Sequence, residues 1–186
     1  MRKIIILLVV LGLAGAGFFY WWNNQADVRE LNKTLPTGVR IEKSLFGNEY
    51  KVVNKIDGYS FKVPPEWEGL EEVEYIPERE ELGYVGSSLN FNGKEKGIIG
   101  VAIDRFTAGG DMSMDLESWT KLEFDAFELV GDFSKDKIGT LDIVKTQENV
   151  HFAGEYIYYL KKDQIIYSLT SPAKGYIEYI ITNGQW

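Results

Sequence analysis

Cysteine is absent from this 186-residue chain, which excludes disulfides, thiolate zinc sites, iron–sulfur clusters and a cysteine-linked lipid anchor. Histidine occurs once, as His151, so a nitrogen-ligated metal centre lacks ligands, and any bound metal would have to be a hard cation held by oxygens. Positive charge is also scarce. The net charge is −8, and because Arg2 and Lys3 precede a long uncharged run, residues 23–186 carry 18 basic against 28 acidic side chains. Such a surface repels phosphate backbones and argues against a nucleic-acid partner. No G-x-S-x-G elbow, H-E-x-x-H helix or cysteine nucleophile is present, and there is no internal repeat. An enzyme is not expected, and neither is a cofactor.

What the chain does have begins at once. Ile4 to Trp22 reads IIILLVVLGLAGAGFFYWW, 19 residues without a charge. As a helix this run spans about 28 Å, close to the hydrocarbon thickness of a bilayer. Arg2 and Lys3 stand before it and the next basic residue is Arg29, which places the N-terminus in the cytoplasm and the remainder outside. Ile4 then opens the lipid contact, and Phe18, Phe19, Tyr20, Trp21 and Trp22 fall at the outer interface, where amphipathic rings are favoured. Residues 1–22 are thus expected to be a transmembrane signal-anchor touching the bilayer through residues 4–22. The rival is a signal peptide cleaved after Ala16 in Ala14-Gly15-Ala16, giving a secreted protein. It would leave GFFYWW as an exposed apolar end, which counts against it.

Residues 23–36, NNQADVRELNKTLP among them, read as a polar spacer with one helical turn around Asp27 to Asn32. Residues 37–186 form the globular domain. Alternation predicts strands at Val39–Leu45, Tyr50–Ile56, Tyr59–Val63, Ser87–Phe91, Gly97–Phe106, Thr140–Thr146, Gly154–Lys161 and Gln164–Thr170. Tyr50, Val52, Asn54 and Ile56 share one face, and Asp57-Gly58 is a strong hairpin signal. A helix is predicted from Asp115 to Val130, with Leu116, Trp119, Leu122, Ala126 and Val130 as its apolar stripe. Ala173–Thr182 fits a closing helix or a last strand. Many hairpin strands with one or two helices give an α+β domain, its helices covering an antiparallel sheet.

In the stretch GYSFKVPPEWEG, Tyr59, Phe61 and Val63 alternate with polar residues, Pro64 and Pro65 end the ladder, and Trp67 follows as a core lid. With the later amphipathic helix and the paired strands of GEYIYYLKKDQIIYSLTS, this pattern resembles the PsbP-like family from Tyr50 to the C-terminus. The resemblance implies an α-β-α sandwich around an antiparallel sheet and a non-enzymatic binding or assembly role. The founding member is an extrinsic photosystem II subunit, and related domains occur in exported bacterial proteins. Tyr59, Phe61, Pro64 and Trp67, which carry the likeness, are fold determinants. The photosystem subunit's partner-binding and metal-associated residues have no counterpart here, and the membrane segment departs from it.

Five features invite chemistry. Glu66 to Glu81 holds eight glutamates against one arginine, and Glu71, Glu72, Glu74 and Glu78 would form a cation or partner surface. The simpler reading is a solvated loop and edge strand whose charges deter sheet-to-sheet association. Asp111, Ser113 and Asp115, like Asp132, Ser134 and Asp136, imitate the start of an EF-hand loop but lack its glycine and closing glutamate. Capping and turn formation account for both. His151 could be a base, but no partner residues accompany it. Finally, Tyr156 and Tyr158 share one strand face, with Ile157 and Tyr159 on the other. These rings could take a ligand if one face is open, and are core if both are covered. The sequence therefore leads to a membrane-anchored, extracytoplasmic binding module that docks on an envelope protein. A calcium or manganese module is the alternative, and a glycan-active hydrolase is a more distant one.

Overall fold

The computed structural model describes residues 2–45, 47–67, 70–77, 85–93, 100–107, 114–126, 128, 131–146 and 155–186. Within them the chain is α+β. Helix α1 (Arg2–Asn24) runs into the short α2 (Ala26–Asn32). Strands β1 (Val39–Lys43), β2 (Tyr50–Asn54) and β3 (Tyr59–Lys62) form a small antiparallel sheet, completed by β11 (Gly184–Gln185) beside β3. A larger antiparallel sheet takes β4 (Leu70–Ile76), β5 (Val85–Gly93), β6 (Gly100–Thr107), β7 (Phe133–Ile138), β8 (Leu141–Thr146), β9 (Tyr156–Lys162) and β10 (Ile165–Ser171). Their order across the sheet is β4-β5-β6-β10-β9-β8-β7. Helices α3 (Leu116–Ala126) and α4 (Lys174–Thr182) lie on its two faces. Two sheets thus stand where the sequence suggested one.

Burial explains the layering. On the inner face, Leu89, Phe91, Val101, Ile103, Tyr158, Leu160 and Leu169 meet Val52 and Phe61 of the small sheet and Ile177, Ile180 and Ile181 of α4. On the outer face, Val144, Ile157, Tyr159 and Ile166 meet Leu116 and Phe124 of α3. Both faces of β9 are therefore core, and its tyrosines are packing groups. Tyr158 also donates to Glu178 Oε1 at 2.8 Å, tying β9 to α4.

Pro64 and Pro65 end β3 as expected, and the 3₁₀ turn Pro65–Trp67 folds Trp67 completely inside. The C-terminal helix is α4 rather than a strand. The β2–β3 turn differs in detail. Ile56 is exposed rather than on the buried face of β2, because the strand ends at Asn54 and Gly58 closes the turn at φ +84°. Strand β4, at the edge of the large sheet, is the edge strand expected in the acidic stretch, whereas β7 comes from DFSKD, where a turn was expected.

Residues 23–36 are more than a spacer. Gln25 N–H donates to Trp21 O and Arg29 N–H to Gln25 O, so α2 continues α1 almost without a break. Val28 is buried against the small sheet. Asn32 Nδ2 donates to Ile41 O at 2.9 Å and its Oδ1 accepts from Ile41 N–H at 2.7 Å. One side-chain amide thereby takes both outward-pointing backbone groups of Ile41 on the edge strand β1, as a neighbouring strand would. Asp27 Oδ2 accepts from the Tyr50 hydroxyl and, at 3.2 Å, from Lys43 Nζ. Burial alone would raise the Asp27 pKa, but bonds from Tyr50, the Val28 N–H and Lys43 outweigh it and hold the carboxyl below its ordinary value.

Candidate functional site

The antiparallel register places polar side chains in rows across the outer face of the large sheet. One row runs Ile76, Ser88, Asp104, Ser168, Tyr159, Val144, Lys135, and the next includes Glu74, Asn90, Ala102, Thr170 and Ile157. The half beneath α3 is apolar. The half on β4, β5 and β6 is rich in serine, asparagine and acid, and it holds the candidate site.

Glu123 of α3 comes down at the border of the two halves and is 7% exposed. The stripe on α3 differs from the one expected. Leu116, Thr120, Glu123 and Phe124 are buried, with Trp119 packed beside them, whereas Leu122 is 54% exposed. Spacings of three and four from Leu116 reach 119, 120, 123 and 124, so the geometry was legible, but a charged residue at an inward position did not look like core. The Thr120 hydroxyl satisfies itself on Leu116 O at 2.8 Å. Glu123 faces Asp104 and Tyr159. Burial raises its pKa, and the Asp104 charge raises it further, to about 7. Asp104 is raised by its own burial, offset in part by a bond from Ser88. Tyr159 is raised by burial and then by the Glu123 and Asp104 charges.

Burial, reinforced by the Asp104 charge, thus makes Glu123 a carboxyl that gains and loses its proton near neutrality. A carboxyl whose folded pKa is raised binds its proton more tightly in the folded chain. Stability is then greatest below the unfolded value, 4.5, and falls as pH rises through about 7. Glu123→Gln, which keeps shape without charge, is expected to stabilise the protein at pH 8 by up to about 3 kcal/mol and to be almost neutral at pH 4. Thermal melts of both proteins across this range measure it; a parallel decline with pH in the variant would disprove the assignment.

A second polar cluster lies between the sheets. Asp57 in the β2–β3 turn is buried, and its carboxylate accepts from Asn54 Nδ2 at 2.6 Å, from Ser87 Oγ and from the Tyr75 hydroxyl at 3.4 Å. Arg105 Nη1 stands 3.7 Å away, and the Tyr167 hydroxyl donates to Asp57 O at 2.8 Å. These partners come from β2, β4, β5, β6 and β10, so the cluster ties the small sheet to the large one. The Asp57 carboxylate is taken up by these internal partners, although Arg105 Nε, also buried, has no hydrogen-bond partner among the described residues.

A groove of about 410 Å³ runs along the start of α3, lined by Asp115, Glu117, Lys135, Asp136, Asp142 and Lys161 among others. Its charges are largely matched internally. Lys135 pairs with Glu117, Lys145 with Asp136, Lys137 with Asp142 at 2.9 Å, and Lys161 Nζ donates to Met114 O.

The residues singled out from sequence scatter over the molecule. Phe18, Phe19, Tyr20, Trp21 and Trp22 lie exposed on the last turns of α1, while the Ile4 side chain is outside the described residues. Glu71, Glu72 and Glu74 are exposed on the edge strand β4, and Glu78 is outside the described residues. Among the described residues no group of three His, Asp or Glu side chains could hold a metal ion. Asp115 caps α3, accepting from the Glu117 and Ser118 N–H groups, while Ser134 and Asp136 lie in strand β7 and so belong to no calcium loop. Asp111, Ser113 and His151 fall outside the described residues. Among the described residues no helix is long and apolar enough to cross a membrane; Ile4, Ile5, Leu7 and Leu8 are not among those whose side chains are described. No family model and no curated protein matches the chain.

Proposed function

We propose that the chain is a single-pass membrane protein, N-terminus inside, whose PsbP-like domain faces outward and works by binding a protein of the cell envelope. The carrying observation is the surface of α1. Val9, Val10, Leu11, Leu13, Phe18, Phe19 and Tyr20 are all more than half exposed. At 100° per residue they lie on every side of the helix, so no single packing face on the domain could cover them. That exposure, within an uncharged run of 19 residues, supports placing the helix in hydrocarbon. The aromatic rings at its outer end suit the headgroup level. The domain brings a filled core and polar groups that are mostly bonded internally, an arrangement that favours surface recognition over turnover. The anchor would then raise its local concentration at a membrane partner.

Deleting residues 2–24 is expected to shift the protein from the membrane to the soluble fraction after alkaline wash. In spheroplasts of an expressing bacterium, the domain of the full chain should be digested by added protease. Protection of that domain from protease, or extraction of the full chain by alkali alone, would contradict the proposal. A mature N-terminus at Gly17, read by mass spectrometry, would replace the anchor with cleavage. In-cell crosslinking and mass spectrometry then test for the partner.

A further inference from the structure

Resting on the membrane reading above, we infer that the domain is held in one fixed orientation, with the Leu45 end of the small sheet seated in the lipid headgroup layer. Three side-chain bonds set the direction. Asn24 Nδ2 donates to Ser44 O, Gln25 Nε2 to Lys43 O, and Asn32 Nδ2 to Ile41 O. As numbers rise along the helix they fall along β1, so the strand runs antiparallel to α2 and points back toward α1. The β1–β2 turn is therefore at the bilayer end. Because β3 pairs antiparallel with β2, Lys62 opposite Lys51, the Pro64-Pro65 end lies there too. The Asp57 turn is at the far end.

The join is stiff. Helical bonds cross from α1 to α2, and Arg29 Nη1 donates to Trp22 O at 2.7 Å with its guanidinium 3.9 Å from the centre of the Trp22 ring. Lys43, Tyr50 and Asp27 then lock α2 to β1 and β2. From Trp22 to Gln25 the helix rises only about 5 Å, within the depth of one headgroup layer. Leu45 is 58% exposed at that level. In the neighbouring hollow Glu42 and Glu49 stand against Lys43, Lys51 and Lys62, with Lys43 paired to Asp27, so this end has no negative excess and escapes the repulsion that the rest of an acidic domain would meet at anionic lipid.

The natural absence of cysteine allows a clean test. Leu45→Cys and Lys55→Cys, each in the full chain and labelled with an environment-sensitive dye, are reconstituted in phosphatidylcholine–phosphatidylglycerol vesicles with or without a headgroup-level quenching lipid. Both proteins should float with the vesicles. The dye at 45 should shift to the blue and be quenched several-fold more than the dye at 55, which sits on the distal turn. Adding Gln25→Ala and Asn32→Ala should shrink that difference while flotation is kept. Equal quenching at 45 and 55 in a floating protein overturns the fixed orientation and leaves the anchor standing. Failure to float overturns both.

Discussion

Asp57→Ala is expected to lower the unfolding free energy of the full chain by about 3–5 kcal/mol, because removing one partner of a buried ionic cluster strands the others. The carboxylate holds the Asn54 amide, the Ser87 and Tyr75 hydroxyls and the Arg105 guanidinium at once. Alanine would leave them without their acceptor, and between packed sheets water cannot substitute freely. Asp57→Asn should also be costly. The Asn54 Oδ1 is already committed to the Ile56 and Asp57 N–H groups, so its Nδ2 would confront a second amide donor. Against a total of about 5–15 kcal/mol for a domain, the alanine change is a large fraction. For a chain of this size it would lower the melting temperature by about 6–20 °C. Urea titration in detergent measures the loss; a cost under about 1 kcal/mol would show that the sheets are joined by other means.

Trp67→Ala should cost a similar amount, about 3–5 kcal/mol, through the cavity left behind. The indole is fully buried, its ring centre 5.5 Å from that of Phe91 and 5.2 Å from that of Tyr176. It thus joins the 3₁₀ turn after β3 to β5 and α4. Trp67→Phe separates volume from chemistry. It keeps much of the ring contact and removes an indole N–H that has no hydrogen-bond partner among the described residues. Phenylalanine is therefore expected to recover more than half of the loss. Equal damage from both substitutions would mean that the indole nitrogen, not packing, matters at this position.

Legibility followed the strength of local pattern. The hairpin GYSFKVPPEW was readable because alternation, a proline stop and an aromatic within ten residues all act locally. The strands β9 and β10 were readable from their apolar runs, and α3 from its period. The bounds of β4 were obscured because its outward positions are glutamates, which suit an exposed edge and a loop equally well. In β7, Phe133 and Ile138 are separated by SKDK, so little alternation survives. Glu123 was missed because helical spacing and side-chain polarity gave opposite answers. Asp57 was seen as a turn residue, which it is, but its partners come from strands up to 110 positions away, as for Tyr167, and such pairings leave no local mark. Whether Ile157 and Tyr159 are core, the favoured reading, or open to a ligand is decided by the placement of α3, which buries both.

The amide of Asn32 has a consequence for where the folding unit begins. A shortened chain starting at residue 37 would carry β1 with the N–H and C=O of Ile41 bare, a ready template for joining another copy strand to strand. One starting at residue 23 keeps its own stopper in place. The natural seam of the molecule thus lies at the end of the oily helix, and the fourteen residues after it act as a sealing gasket belonging to the domain.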